Sequence, residues 1–307
     1  MVTWYIVAVV AVILWLGPAY LAAWAKASVS FTFKTTGKRT LFVHLAGLNG
    51  DGMTQIANII STFLTRGSLL AVHYEGDLGK NAGQFDPQLV IDKTTKEVVS
   101  YARSGGFESI VFIGTSMGAK LAYQIAWRLK EDHDIGSKAS IIDPPLKRGD
   151  FQPPLDIFAP VMRALLYIPL FNLLLFPPLS HIFMKVLVKP PKKDNIESTL
   201  TLQERRALDK SIVQAKRTKP TFYRGQVATI MRRMPPQGSP WGQGDVVYLR
   251  SSNDKDTVRP SAYDGWSRLL GFEPHFILVH GAKHCAYGEN PTPYRRYLPD
   301  AFDFLGV

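Results

Sequence analysis

The sequence predicts an α/β fold, a mostly parallel sheet flanked by helices. Two observations carry this. Strand-length apolar runs alternate with helix-length amphipathic segments across residues 27–145, and the same alternation returns across 245–307. Between them, residues 146–244 break the pattern, as an insertion at the carboxyl edge of such a sheet would. A third observation sets off the start of the chain: residues 1–25 carry no charged side chain. The expected division is a transmembrane anchor over 1–25, a core over 27–145 and 245–307, and an inserted helical lid over 146–244.

Residues 1–25 are long enough, at 1.5 Å per helical residue, to cross a bilayer. Trp4, Tyr5, Tyr20 and Trp24 lie near the ends, where an aromatic belt would sit. Lys26, Lys34, Lys38 and Arg39 follow, before any acidic residue. The positive-inside tendency then predicts a single-pass membrane protein with its core on the cytoplasmic side. A cleaved signal peptide is the competing reading, since Ala23-Trp24-Ala25 resembles a cleavage site.

Residues 27–33 alternate polar and apolar, the pattern of a half-buried strand. Thr40–Leu45 and Ser68–Tyr74 read as further strands, with a glycine-rich loop from Gly47 to Gly52 and a helix to about Thr65 between them. Asp86-Pro87 reads as an N-cap with proline at the first helical position, opening a helix that Gly105-Gly106 stops. Ser109–Gly114 is a buried strand by pattern. Met117–Glu131 is an amphipathic helix with Leu121, Ile125 and Leu129 on one face. A strand over Ala139–Ile142 closes on Asp143-Pro144-Pro145. After the insertion come a strand at Asp245–Arg250, a helix at Val258–Leu270, a strand at His275–Val279 and a helix at Thr292–Leu305.

The insertion has two characters. Ala164 to Met184 carries no charged side chain and is broken by Pro169, Pro177 and Pro178. That pattern suits a helical lid better than a second membrane span. Residues 185–233 hold thirteen Lys or Arg against four Asp or Glu, a net of +9, most of the +11 of the whole chain. A basic segment beside an apolar one predicts contact with an anionic membrane surface rather than nucleic acid. Cys285 is the single cysteine, so the chain forms no internal disulfide. The histidines lack metal-ligand spacing, and neither a metal nor a cofactor is expected.

Gly114-Thr115-Ser116-Met117-Gly118 has the form G-x-S-x-G. A strand enters it and a helix leaves it, the context a strained nucleophile turn needs. The plain alternative is a serine that only caps the helix. His284 lies just beyond the last strand, in a loop able to reach Ser116. His280 competes but belongs to the strand end and reads as a hydrogen-bonded core histidine. Asp143, Asp254 and Asp256 are the candidate acids, one of which should hold the imidazole tautomer.

The order serine, acid, histidine resembles the α/β-hydrolase superfamily over residues 40–143 and 245–305. Asp256-Thr257-Val258-Arg259-Pro260 resembles the acid loop of that family and Gly281-Ala282-Lys283-His284 its histidine loop. The resemblance implies Ser116 as nucleophile, His284 as base and Asp256 as acid, with Asp143 and Asp254 as alternatives. Ala46-Gly47-Leu48 resembles the family's oxyanion loop, although Ala46 stands where histidine is frequent. The oxyanion donors would then be the backbone amides of Met117 and Leu48. The activity implied is hydrolysis of a carboxylic ester, of a small molecule or a lipid, with no cofactor; the lipid-like character is read from the anchor and the apolar lid. An acyltransferase using the same triad and a non-catalytic membrane-binding protein of the same fold are the alternatives.

Overall fold

The computed structural model describes residues 27–47, 53, 55–76, 79–80, 85–104, 106–152, 225–226, 228–230, 232, 234, 238–253, 258–284 and 291–307, with 6–7 and 9–10. The strands are β1 (Ala27–Lys34), β2 (Thr40–Leu45), β3 (Ser68–Gly76), β4 (Gly79–Lys80), β5 (Ser109–Thr115), β6 (Lys138–Ile142), β7 (Val246–Ser251) and β8 (His275–Val279). The helices that position the site are α1 (Ile60–Leu64), α2 (Pro87–Ser104), α3 (Met117–His133), α4 (Ala262–Leu270) and α5 (Pro291–Phe304). The strands form one sheet in the order β1-β3-β2-β5-β6-β7-β8, with β4 paired to β3. β1 and β4 run antiparallel to β3, and the other pairings are parallel. The predicted α/β architecture is therefore present.

Period-two alternation divides the core. Leu41, Val43 and Leu45 of β2, with Ile110 and Phe112 of β5, face a cluster that takes in the inner sides of α2, α3 and α4. Phe42, Val111 and Ile113 face the opposite cluster with α1 and α5. There Phe42, Phe63 and Phe302 pack with ring centroids 4.8–5.7 Å apart, all fully buried. Burying such a side chain contributes about 1.5–3 kcal/mol. Two apolar faces on one sheet require helices on both, as the near-continuous apolar runs of β2 and β5 demand.

Two boundaries differ from the sequence reading. The helix expected from Val258 begins at Ala262, while Val258 bridges Phe151 in antiparallel fashion. Pro260 explains the delay, because a residue before proline is driven from helical to extended backbone. The helix expected to end near Thr65 is confined to Ile60–Leu64, and the described residues before it form turns.

The membrane expectations are corrected. Among the described residues no helix is long and apolar enough to cross a membrane. This overturns the single-pass membrane localisation; of the transmembrane helix expected over 1–25, all but residues 6–7 and 9–10 lies outside the described residues. The expectation rested on apolar length, which a span needs but which does not by itself make one continuous helix. Residues 6–7 and 9–10 are described as helical. The lid expected over 146–244 and its basic segment fall largely outside the described residues.

Part of the chain returning from the insertion is tied to α3 by a buried lysine. Lys120 is fully buried, and its ammonium donates to the carbonyls of Ile230, of Arg232 at 2.8 Å and of Thr229 at 3.4 Å. Burial pulls its pKa down to about 7, against the opposing pull of the Asp150 carboxylate. Above pH 7 the folded chain thus sheds a proton that the unfolded chain keeps up to an ordinary lysine value of about 10.4. Since the unfolded state then binds more protons, the Lys120 contribution to stability rises with pH across that window. The stability of the wild type relative to Lys120→Met is expected to increase from pH 6.5 to 9.5. Urea midpoints at the two pH values measure it, and a constant difference would contradict this protonation.

Candidate active site

The candidate residues gather at the carboxyl ends of adjacent parallel strands, where open α/β sheets place their ligands. Ser116 follows β5, Asp143 follows β6, Ser251 ends β7 and His284 lies in the loop after β8. The neighbouring strand β2 delivers Ala46 and Gly47 to the same edge.

Ser116 occupies a strained turn, with φ 48° and ψ −113°. Its amide donates to the Ile142 carbonyl at 2.8 Å, which fixes the turn to the end of β6. The side chain makes no capping bond to α3, contrary to the helix-cap alternative. It lies instead 3.4 Å from His284 Nε2. The glycines of the motif are there because the backbone has neighbours. A Cβ on Gly118 would stand 2.0 Å from the Leu45 carbonyl oxygen, and one on Gly114 would stand 2.5 Å from Ala119 Cα. Gly118→Ala is accordingly expected to destabilise the fold by about 3 kcal/mol or more, since the obstacle is backbone. A wild-type urea midpoint for that variant would contradict the close approach of α3 to β2.

Met117 opens α3 and is fully buried. As the first helical residue its amide has no carbonyl within the helix to bond, and it points into the positive end of the helix dipole. The β2 loop is held from two sides. Tyr74 Oη donates to the Ala46 carbonyl at 3.1 Å, and Gly47 N donates to Gln55 Oε1 at 3.0 Å. Burial pushes the Tyr74 phenol well above its usual range, so it stays a donor. Leu48 itself lies outside the described residues.

The histidine loop is pinned by its neighbours. Ser252 N donates to the Val279 carbonyl at 3.1 Å, Asn253 N to Ala282 O at 2.9 Å, and Gly281 N to Ser252 Oγ at 3.0 Å. Gly281 has φ 80°, a left-handed conformation that glycine adopts without a Cβ penalty. These contacts present His284 with Nε2 toward Ser116 and Nδ1 4.0 Å from Asp143 Oδ2.

Asp143 is buried, and like Ser116 it holds a positive φ, 45°. Its carboxylate accepts the Ser251 amide at 2.7 Å on Oδ1 and the Ser251 hydroxyl at 2.6 Å on Oδ2. The structure thus brings together Ser116, His284 and Asp143, the acid that the sequence ranked as an alternative. Asp254 and Asp256 lie outside the described residues. His280 is exposed, with its ring centroid 6.3 Å from that of Tyr297, which corrects its expected place in the core.

Ser251 and Tyr294 went unnoticed in the sequence. Ser251 had one local signal, a hydroxyl at the end of a strand whose neighbour ends in aspartate. Tyr294 had none, because its partners lie in other segments. An imidazole set between a hydroxyl and a carboxylate can take the hydroxyl proton as that oxygen attacks an electrophile. Among the described residues no group of His, Cys, Asp or Glu is arranged to hold a metal ion.

No family model matches the chain, and no curated protein matches its sequence. Solved structures do resemble it. A carboxylesterase from Nitrososphaera gargenis is 14% identical with a TM-score of 0.60, the match covering 92% of this chain and 96% of that one. A thermophilic esterase from Thermogutta terrifontis is 12% identical with a TM-score of 0.60, covering 92% and 95%. The enol-lactonase from Burkholderia xenovorans is 14% identical with a TM-score of 0.58, covering 92% and 97%. At such identities the likeness is one of fold.

Proposed function

We propose that this chain, whose fold is that of the α/β-hydrolase superfamily, is a serine hydrolase of carboxylic esters that works through an acyl-enzyme. The observation that carries the reading is the line from Ser116 Oγ through His284, 3.4 Å on one side of the ring and 4.0 Å from Asp143 on the other. Esterases among the structural neighbours agree with it.

In this reading Ser116 Oγ attacks the ester carbonyl while Nε2 of neutral His284 takes its proton. The carbonyl oxygen becomes an oxyanion held by the amides of Met117 and Leu48. The Gly47 N–H is already accepted by Gln55, which favours the register that places Leu48 there. Collapse of the tetrahedral intermediate expels the alcohol, which receives the proton from the imidazolium. Water, deprotonated by His284, then attacks the acyl-enzyme and releases the acid. Asp143 holds the Nδ1–H tautomer and offsets the imidazolium charge. Asp256, selected by the acid-loop resemblance, is the competitor for that role. The steps draw on no cofactor. The lipid-like substrate rested on the anchor and the apolar lid, and the anionic membrane partner on the basic segment 185–233; neither is carried forward, and a small carboxylic ester is retained.

A series of p-nitrophenyl esters of increasing acyl length tests this. The expected result is turnover of at least the short esters, with a rapid initial release of p-nitrophenol close to one equivalent when deacylation is slow. Neither turnover nor burst with any ester would remove the reading. Product shifted from acid to ester by an added alcohol would identify acyl transfer with the same machinery.

A further inference from the structure

Two hydroxyl groups connect the carboxylate to the loop that carries the histidine. Ser251 Oγ donates to Asp143 Oδ2 at 2.6 Å and lies 2.8 Å from Tyr294 Oη. Tyr294 Oη donates to the Lys283 carbonyl at 3.0 Å. Lys283 directly precedes His284. Asp143, Ser251 and Tyr294 are all at most 1% exposed. The path is short, its three side chains are buried, and it joins β6, β7, the β8 loop and α5.

We infer that Ser251 and Tyr294 are positioning residues which set the carboxylate of Asp143 and the imidazole of His284 in one frame. This rests on the assignment of Asp143 as the acid. Ser251 donates once to each carboxylate oxygen, through its amide to Oδ1 and its hydroxyl to Oδ2. That pair fixes the plane of the carboxylate and leaves a lone pair of Oδ2 for the side where Nδ1 stands. Tyr294 does the same for the base by holding the backbone one residue before it.

Proton counting shows why the two hydroxyls act together. With Asp143 ionised, the Ser251 proton belongs to the carboxylate. The single Tyr294 proton then serves either the Lys283 carbonyl or Ser251 Oγ. Loss of one hydroxyl therefore changes the partner available to the other. In a buried site such coupling is stronger than at a surface, because water does not replace the lost bond.

The test compares Tyr294→Phe, Ser251→Ala and the double variant in the full chain, with Ser251→Thr as the hydroxyl-retaining control. Tyr294→Phe keeps the ring that packs in the α5 cluster. Ser251→Ala is expected to lower kcat about tenfold or more on a p-nitrophenyl ester, the size of one hydrogen bond to a charged group, and Tyr294→Phe about fivefold, the size of one between neutral groups. KM should stay within about twofold, since neither hydroxyl is assigned to substrate binding. The double variant should fall well short of the product of the two single effects, because the bonds form one chain. Ser251→Thr should recover most of the kcat lost in Ser251→Ala.

Unchanged kcat in Tyr294→Phe, or strictly multiplicative losses in the double variant, would overturn the inference. Far-ultraviolet circular dichroism and urea midpoints accompany each variant, so that a loss through unfolding is seen as such and counts against it. Asp143→Asn in the same series separates the two levels. Wild-type kcat there would sink the acid assignment itself. A severe loss there with a silent Tyr294→Phe would sink only the positioning role.

Discussion

Ser116→Ala is expected to lower kcat on p-nitrophenyl acetate by about 10⁴-fold or more while leaving the urea midpoint nearly unchanged. The two halves of this result have separate causes. Activity falls because no other oxygen replaces Oγ 3.4 Å from His284 Nε2. Stability holds because the hydroxyl makes no capping bond to α3. The strained turn is maintained by its backbone, through the Ser116 amide to Ile142 and the close approach of Gly118 to Leu45. A serine that merely capped the helix would behave the opposite way. Its removal would cost about 1 kcal/mol of stability and leave catalysis intact. Steady-state kinetics and a urea melt on the same preparation distinguish the two.

Asp143→Asn is expected to reduce kcat by about 10³- to 10⁴-fold, and Asp256→Asn to leave it within severalfold. The asparagine amide would turn an N–H₂ toward one of the two donors of Ser251, both of which point at the carboxylate. It would also fail to hold the Nδ1–H tautomer of His284, so Nε2 would no longer be free to accept the proton from Ser116. The reverse ranking, a mild Asp143→Asn beside a severe Asp256→Asn, would give the role to the loop after β7. Ser251 and Asp143 would then be a structural pair at the strand ends.

The parts of the fold that local sequence determines were legible. β2 and β5 announce themselves as continuous apolar runs, and Asp86-Pro87 opens α2 at its observed start, with Asp86 Oδ1 accepting the Gln88 amide at 2.9 Å. Ser116 was legible because strand, turn and helix are contiguous, so a single stretch of chain carries the whole signal. His284 was found by its position after the last strand. The acid was harder. Asp143 and Ser251 meet only because β6 and β7 are neighbours in the sheet, although the insertion separates them in sequence. No periodicity reports such a pairing, and the acid-loop resemblance pointed past β7 instead. The membrane localisation rested on apolar length, a compositional signal that does not report whether one continuous helix forms.

Covalent labelling reads directly whether Ser116 is an activated nucleophile. The full chain is treated with a fluorophosphonate, which a serine activated by a base attacks at phosphorus with loss of fluoride. Intact mass and peptide mapping follow. One adduct per chain is expected, on the peptide containing Ser116, and none in Ser116→Ala. An unmodified chain, or an adduct on another residue that persists in Ser116→Ala, would contradict it.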